Sequence, residues 1–163
     1  MLPCHDLSVV ESGLRDHVGY WLRRLSDAVH GRFERELAAH GVTVAQWNVL
    51  VSVHHGDAAT TAEVARWLQI DPGAVSRLVD RLAGKGLITR GTDPHSRRRL
   101  PLALTPKGAA LVPTLIHLAD GNDALFFGAL SPVERAALVA LLRRLLPPDA
   151  GEEAPPCSPP PVP

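Results

Sequence analysis

Asp71-Pro-Gly-Ala-Val-Ser-Arg-Leu-Val-Asp-Arg-Leu-Ala-Gly-Lys-Gly86, followed at once by Leu87 to Leu104, is the stretch around which the chain is organised. Asp71 can cap a helix N-terminus, Pro72 suits the first helical turn, and Gly84 and Gly86 can end the helix. Between them Val75, Leu78, Val79 and Leu82 form one apolar stripe at helical spacing. The other side carries Gly73, Ser76, Arg77, Asp80 and Arg81, with small residues at the front and cations behind. Two short extended segments come next, with Arg97, Arg98 and Arg99 at or beside the turn between them. A helix with a small-plus-arginine outer face, followed by a basic hairpin, suits insertion into a DNA groove.

Working outward, Thr60-Thr-Ala-Glu63 reads as a capping box opening a short helix with Val64, Ala65 and Leu68 on its core side. That helix, a brief turn at Gln69 and Ile70, and the helix after Asp71 make a helix-turn-helix. Leu87 to Arg90 and Arg99 to Leu104 are the expected strands of a hairpin, with turn chemistry in Gly91 to Ser96. Pro101 removes a ladder hydrogen bond, so the second strand is expected at an edge. Helix-turn-helix plus hairpin is a winged helix.

Upstream, Leu14, Val18, Leu22, Leu25, Val29, Phe33 and Leu37 recur at threes and fours, predicting one helix from about Glu11 to His40. A helix that long needs more than one neighbour to bury against, and a second subunit is an obvious one. Gly41 stops it, and Thr43 to Gln46 is a second capping box, opening a helix with Val44, Trp47, Leu50 and Val51 inward and Gly56 as its stop. Downstream, Thr105-Pro-Lys-Gly starts a helix running to about Ala129, with Pro113 expected to kink it or delay its start. Ser131-Pro-Val-Glu134 opens the last helix, whose face carries Val133, Ala137, Leu138, Leu141, Leu142 and Leu145; Pro147 and Pro148 end it.

The 163 residues suit one domain with a real core, and no apolar run approaches a membrane span. The first ten residues lack a signal-peptide pattern, and Cys4 and Cys157 in opposite tails make no disulfide framework, so a cytoplasmic protein is expected. The zero net charge is unevenly spread: residues 60–108 hold nine Lys/Arg against four acids, whereas both flanks are acidic. A polyanion partner for the middle segment follows; nucleic-acid adhesion over the whole surface does not.

In order, the chain is a mainly α protein with a small β-hairpin wing. A flexible tail (1–10) precedes helical dimerisation segments (11–40 and 105–147), which embed a winged helix-turn-helix (41–104); a disordered, Pro-rich tail follows (148–163). This order resembles the MarR family of bacterial transcriptional regulators over roughly Gly19 to Leu146. Three stretches carry the resemblance: Gly41 to Leu50, Asp71 to Gly86, and above all Asp93-Pro-His-Ser-Arg-Arg-Arg-Leu-Pro-Leu-Ala-Leu-Thr105. Family wings read Asp-Pro-x-Asp-Arg-Arg and reach Leu-Thr before the next helix. Ser96 stands where the second Asp usually is; in the family that Asp positions the wing arginine, whereas Ser offers a hydrogen bond and no charge.

The resemblance implies a cytoplasmic homodimer that regulates transcription, as a repressor, by reading a pseudopalindromic operator in double-stranded DNA. Two-fold symmetry would set the recognition helices about one turn of DNA apart, roughly 34 Å. The expected DNA-contacting residues are Thr60, Thr61, Gly73, Ala74, Ser76, Arg77, Arg81, Arg97, Arg98 and Arg99. Arg77 is set for base contact, and the wing arginines for phosphate or minor groove. Surface pairing of Arg77 with Asp80 or Asp71 is the competing reading. The family's small aromatic or phenolic acid effectors point to His17, Trp21 and Arg24 as a stacking and anion-pairing set, although core packing accounts for Trp21 equally well. No cofactor, metal site or catalytic motif is expected, and no membrane partner. A redox- or metal-responsive regulator of the same fold, through Cys4 or the histidines, is the alternative, as is a winged helix that binds only protein.

Overall fold

Local side-chain caps place most of the helix starts of this computed structural model, which describes residues 12–91 and 101–146. Helix α1 spans Val18–Ala38, α2 Val44–His55, α3 Thr61–Trp67, α4 Pro72–Gly84, α5 Pro106–Phe127 and α6 Pro132–Leu145; strands β1 and β2 are Ile88–Arg90 and Leu102–Leu104. Thr43 and Gln46 exchange both bonds of a capping box, as do Ser131 and Glu134. Asp71 Oδ1 accepts from the Ala74 N–H at 2.9 Å, with Pro72 in the first turn. At α3 the box is displaced: Thr60 Oγ1 accepts from Glu63 N, but the Glu63 carboxylate takes the N–H of Ala59 rather than that of Thr60.

The ends are equally local. Gly41, Gly56 and Gly86 take left-handed φ of 68°, 78° and 68°, and the bonds Val42 N to Leu37 O and Leu87 N to Leu82 O close α1 and α4. The turn inside the helix-turn-helix has no glycine. Gln69 itself adopts φ 53°, and Ile70 N donates to Ala65 O behind it.

The first helix is shorter than its periodicity suggests. A 3-10 turn over Leu14–Asp16 precedes it, and His17 is extended, because the Asp16 carboxylate turns back to accept the Gly13 N–H at 2.8 Å. Pro113 neither delays α5 nor divides it; α5 runs unbroken and ends two residues earlier than expected. In α2, Val49 is as completely buried as Leu50, while Val51 is only half-buried.

β1 and β2 pair antiparallel with Ile88 opposite Leu104 and Arg90 opposite Leu102. Gly91 N donates to Pro101 O, so the N–H that Pro101 lacks is the one that would answer Gly91. The edge position expected for this strand is only partly realised. Leu102 N donates to Ala59 O at 2.8 Å and Thr60 bridges Pro101, so the segment leading into α3 covers the outer side of β2.

The core gathers Leu37 of α1, Val49 and Leu50 of α2, Val64 of α3, Val75, Val79 and Leu82 of α4, Ile88 of β1, and Val112 and Leu115 of α5. Phe33 packs edge-on against Trp47 with ring centroids 5.0 Å apart. Two apolar faces stay outside it. α6 has no buried residue, with Val133 79% and Leu145 73% exposed, and the first half of α1 leaves Val18 68% exposed. Among the described residues no single helix is long and apolar enough to cross a membrane.

Candidate nucleic-acid interface

Helix α4 is held from within by its apolar stripe, which fixes what it shows to solvent. Val75, Val79 and Leu82 are completely buried, so Gly73, Arg77 and Arg81 on the far side are exposed. The Arg77 guanidinium lies back over the helix start: Nη1 is 3.6 Å from where a Cβ on Gly73 would stand, and Asp71 Oδ1 is 3.0 Å from it. Gly73 thus leaves the front of α4 open, and any side chain there would crowd the capping carboxylate and Arg77. Ala74 is half-buried.

The competing surface pairing for Arg77 is not what the structure shows. Asp80 pairs with Arg90 of β1 at 2.9 Å, and neither Arg77 nor Arg81 forms a hydrogen bond or ion pair with the described residues. Two cations without a partner among the described residues and a small residue therefore share the outward face of α4, a donor set suited to phosphate oxygens and to the O6/N7 edge of guanine.

Ser76 is half-buried and already engaged: Arg90 Nη2 donates to its carbonyl oxygen at 3.2 Å and lies 3.5 Å from its hydroxyl. Thr60 and Thr61 sit at the start of α3, both half-buried. The Thr60 hydroxyl serves as the α3 cap. Arg97, Arg98, Arg99 and Ser96 lie outside the described residues, as do Cys4, Cys157 and the tail segments 1–10 and 148–163.

Arg90 is the residue that reading the sequence missed as part of this surface. Its signal was the two-residue period of a strand, which puts Arg90 on the same face of β1 as the buried Ile88, toward α4. From there its side chain, 32% exposed, fastens the strand to the middle of α4 and neutralises the one acid on that helix's outer face.

The effector candidates are not gathered into a pocket within one chain. Trp21 is 51% exposed and its indole N–H donates to Arg15 O at 2.8 Å. Arg24 turns to Tyr20, bonding its hydroxyl at 3.3 Å and lying 5.8 Å over its ring. His17 occupies the N-cap position of α1 without a side-chain capping bond, and its ring lies 3.4 Å from the Ser12 hydroxyl. Trp21 and Arg24 stand on the exposed first half of α1 and His17 just before it. Among the described residues no group of three His, Cys, Asp or Glu could hold a metal ion.

The MarR family model matches residues 40–99, from the corner before α2 past β1. A putative transcriptional regulatory protein for the hcr operon of Thauera aromatica is 30% identical over 138 residues, covering 84% of this chain and 83% of its own. The chain superposes on BpsR of Bordetella bronchiseptica, described as regulated in DNA binding by 6-hydroxynicotinic acid, with TM-score 0.73 and 31% identity over 83% of this chain and 96% of that one. It also superposes on a MarR variant from E. coli complexed with operator DNA, with TM-score 0.72 and 28% identity, covering 83% of this chain and all of the other. Identity and shared fold on this scale, spanning the helix-turn-helix and the helices on either side of it, place the chain in the MarR family of winged helix-turn-helix transcriptional regulators.

Proposed function

We propose that the protein is a homodimeric repressor, not an enzyme, that reads a pseudopalindromic operator with α4 in the major groove and is released by a small aromatic acid. One observation carries the DNA reading: the outward face of α4 presents Gly73, Arg77 and Arg81 unobstructed, while its only acid, Asp80, is neutralised by Arg90. The wing arginines Arg97, Arg98 and Arg99 then add contacts to phosphates or the minor groove, which set affinity and salt dependence more than sequence choice. Thr60 and Thr61, at the start of α3, take phosphate contacts. The division of labour is a winged helix-turn-helix at 41–104 carried by dimerisation helices from 11–40 and 105–147.

The dimer follows from the apolar faces of α1 and α6. Val18, Trp21, Leu22, Val133, Leu141 and Leu145 are each between 43% and 79% exposed in the single chain, a cost in water that a second copy removes. The effector reading rests on the aromatic acid that regulates DNA binding by the relative BpsR, and on Trp21 and Arg24 of α1 with His17 just before it, all three exposed.

Selection of bound duplexes from a random pool tests the DNA reading. Wild type should return a two-fold symmetric site, and Arg77→Ala should blur it at the bases facing α4, since a bidentate Arg–guanine contact is worth about 1–3 kcal/mol of discrimination. An unchanged site from Arg77→Ala would remove Arg77 from base reading, and binding insensitive to salt would remove the regulator reading altogether. For the effector, 6-hydroxynicotinic acid and related aromatic acids should raise the melting temperature of wild type and not of Trp21→Ala.

A further inference from the structure

Lys85 continues the row Arg77, Arg81, Lys85 at four-residue spacing, and on spacing alone it belongs with the cations that meet DNA. Its ammonium goes elsewhere. Lys85 Nζ donates to the carbonyl oxygen of Gly41, at the left-handed corner between α1 and α2, and at 2.8 Å to Oε1 of Gln46. Gln46 is 3% exposed, and the same oxygen also accepts from Thr43 N at 3.3 Å. The end of the recognition helix is thereby tied, across 39 residues of sequence, to the start of α2 and the end of α1.

The other side of the same end is held by α5. Lys107 Nζ donates to Lys85 O at 3.0 Å, the Thr105 hydroxyl donates to Gly86 O at 2.6 Å, and Thr105 N donates to Leu87 O at 3.0 Å. A helix seated on one apolar stripe can roll and slide along it, because hydrophobic contact is non-directional. Directional bonds at its end remove that freedom.

We propose that Lys85 is a positioning residue for DNA recognition: through Gln46 and Gly41 it sets the angle of α4 on the dimerisation helix α1, and so the register of Arg77 against the bases. This rests on the DNA-binding reading above. Phosphate contacts tolerate small displacements of a helix, whereas bidentate base contacts do not, so loss of the tie falls on specific binding alone.

The test uses the full chain, with the duplex selected by wild type and a scrambled duplex of equal length, by fluorescence anisotropy over a range of salt. Lys85→Met keeps the aliphatic stem and removes the ammonium; Gln46→Leu removes the acceptor. Each should raise Kd for the selected duplex about tenfold and leave the scrambled duplex within about twofold, with the slope of log K against log salt unchanged. The double variant should bind no more weakly than either single one, since both cut the same tie. Equal loss on both duplexes with a slope smaller by about 0.9 would make Lys85 an ordinary phosphate contact and overturn the proposal. A lowered melting temperature with both affinities intact would overturn it as well, leaving Lys85 a stabilising residue only. If Gln46→Leu does not fold, Lys85→Met and Lys85→Gln decide the matter by the same criteria. Wild type that binds neither duplex defeats the DNA-binding reading itself, a result distinct from all of these.

Discussion

Replacing Arg90 by Met separates what this arginine does for the fold from what it does for DNA. The substitution keeps the aliphatic stem against α4 and removes the guanidinium that reaches Asp80 at 2.9 Å and the Ser76 carbonyl at 3.2 Å. The ion pair is half in solvent, with side-chain exposures of 32% and 62%, so it contributes about 0.5–1 kcal/mol. The bond to the Ser76 carbonyl adds about 1 kcal/mol, and the 3.5 Å contact to its hydroxyl little. A total of about 1–2 kcal/mol corresponds to a fall in melting temperature of roughly 2–8 °C for a chain of this length. On DNA the larger consequence is the freed Asp80 carboxylate, which then stands unneutralised between Arg77 and Arg81. At roughly 7 Å from a phosphate its repulsion is about 0.6 kcal/mol in water and several times that in a drier groove, so affinity should drop about tenfold. Arg90→Met with Asp80→Asn should recover most of the DNA affinity and little of the stability, read by anisotropy and thermal denaturation on the same samples. A double variant that binds as weakly as Arg90→Met would show that Arg90 touches DNA itself. An unshifted melting temperature would show that the strand-to-helix tie is not formed in solution.

Other consequences are sharp enough to measure. Gly108→Ala in the first turn of α5 and Gly84→Ala at the last residue of α4 are the same change, with opposite expected signs. A Cβ at Gly108 would stand 2.1 Å from Leu87 O and force α5 off the end of the recognition helix, costing about 1–3 kcal/mol, whereas Gly84 meets nothing within 4 Å and should gain about 0.5–1 kcal/mol; urea denaturation gives both. The Ser131 hydroxyl and N–H hold the Glu134 carboxyl below its ordinary value of 4.5. A depressed folded-state value stabilises above the unfolded one, so the stability gap between wild type and Ser131→Ala should be full above pH 4.5 and narrow as pH falls below it. An unaltered gap at lower pH would refute that. Leu141→Glu, on the uncovered face of α6, should convert a dimer into a monomer by light scattering while helix content is retained; an unchanged mass would place the interface elsewhere.

The features readable in the chain itself are those whose physics is local. Caps at Thr43, Asp71 and Ser131 satisfy N–H groups three residues on, and Gly41, Gly56 and Gly86 provide the left-handed stops, so the helix-turn-helix and its flanking helices follow from spacing alone. The apolar stripe of α4 likewise dictates that Arg77 and Arg81 face outward, because each helical residue has one side to offer. Local rules fell short where a nearby group competed, as Asp16 does with the helix before His17; the turn at Gln69 was legible, but not that Gln69 itself would take the left-handed conformation.

What only the tertiary structure decided is which charges are spoken for. Arg77, Arg81, Lys85 and Arg90 are equivalent as entries in a charge count. Folding pairs Arg90 with Asp80 and Ser76, turns Lys85 onto Gly41 and Gln46, and leaves Arg77 and Arg81 without a partner among the described residues. These partners lie 10 to 44 residues apart, so no periodicity brings them together. The reason is geometric: a helix or turn is closed by neighbours in sequence, but an ammonium or guanidinium bonds whatever acceptor the packing of other elements delivers within hydrogen-bond reach.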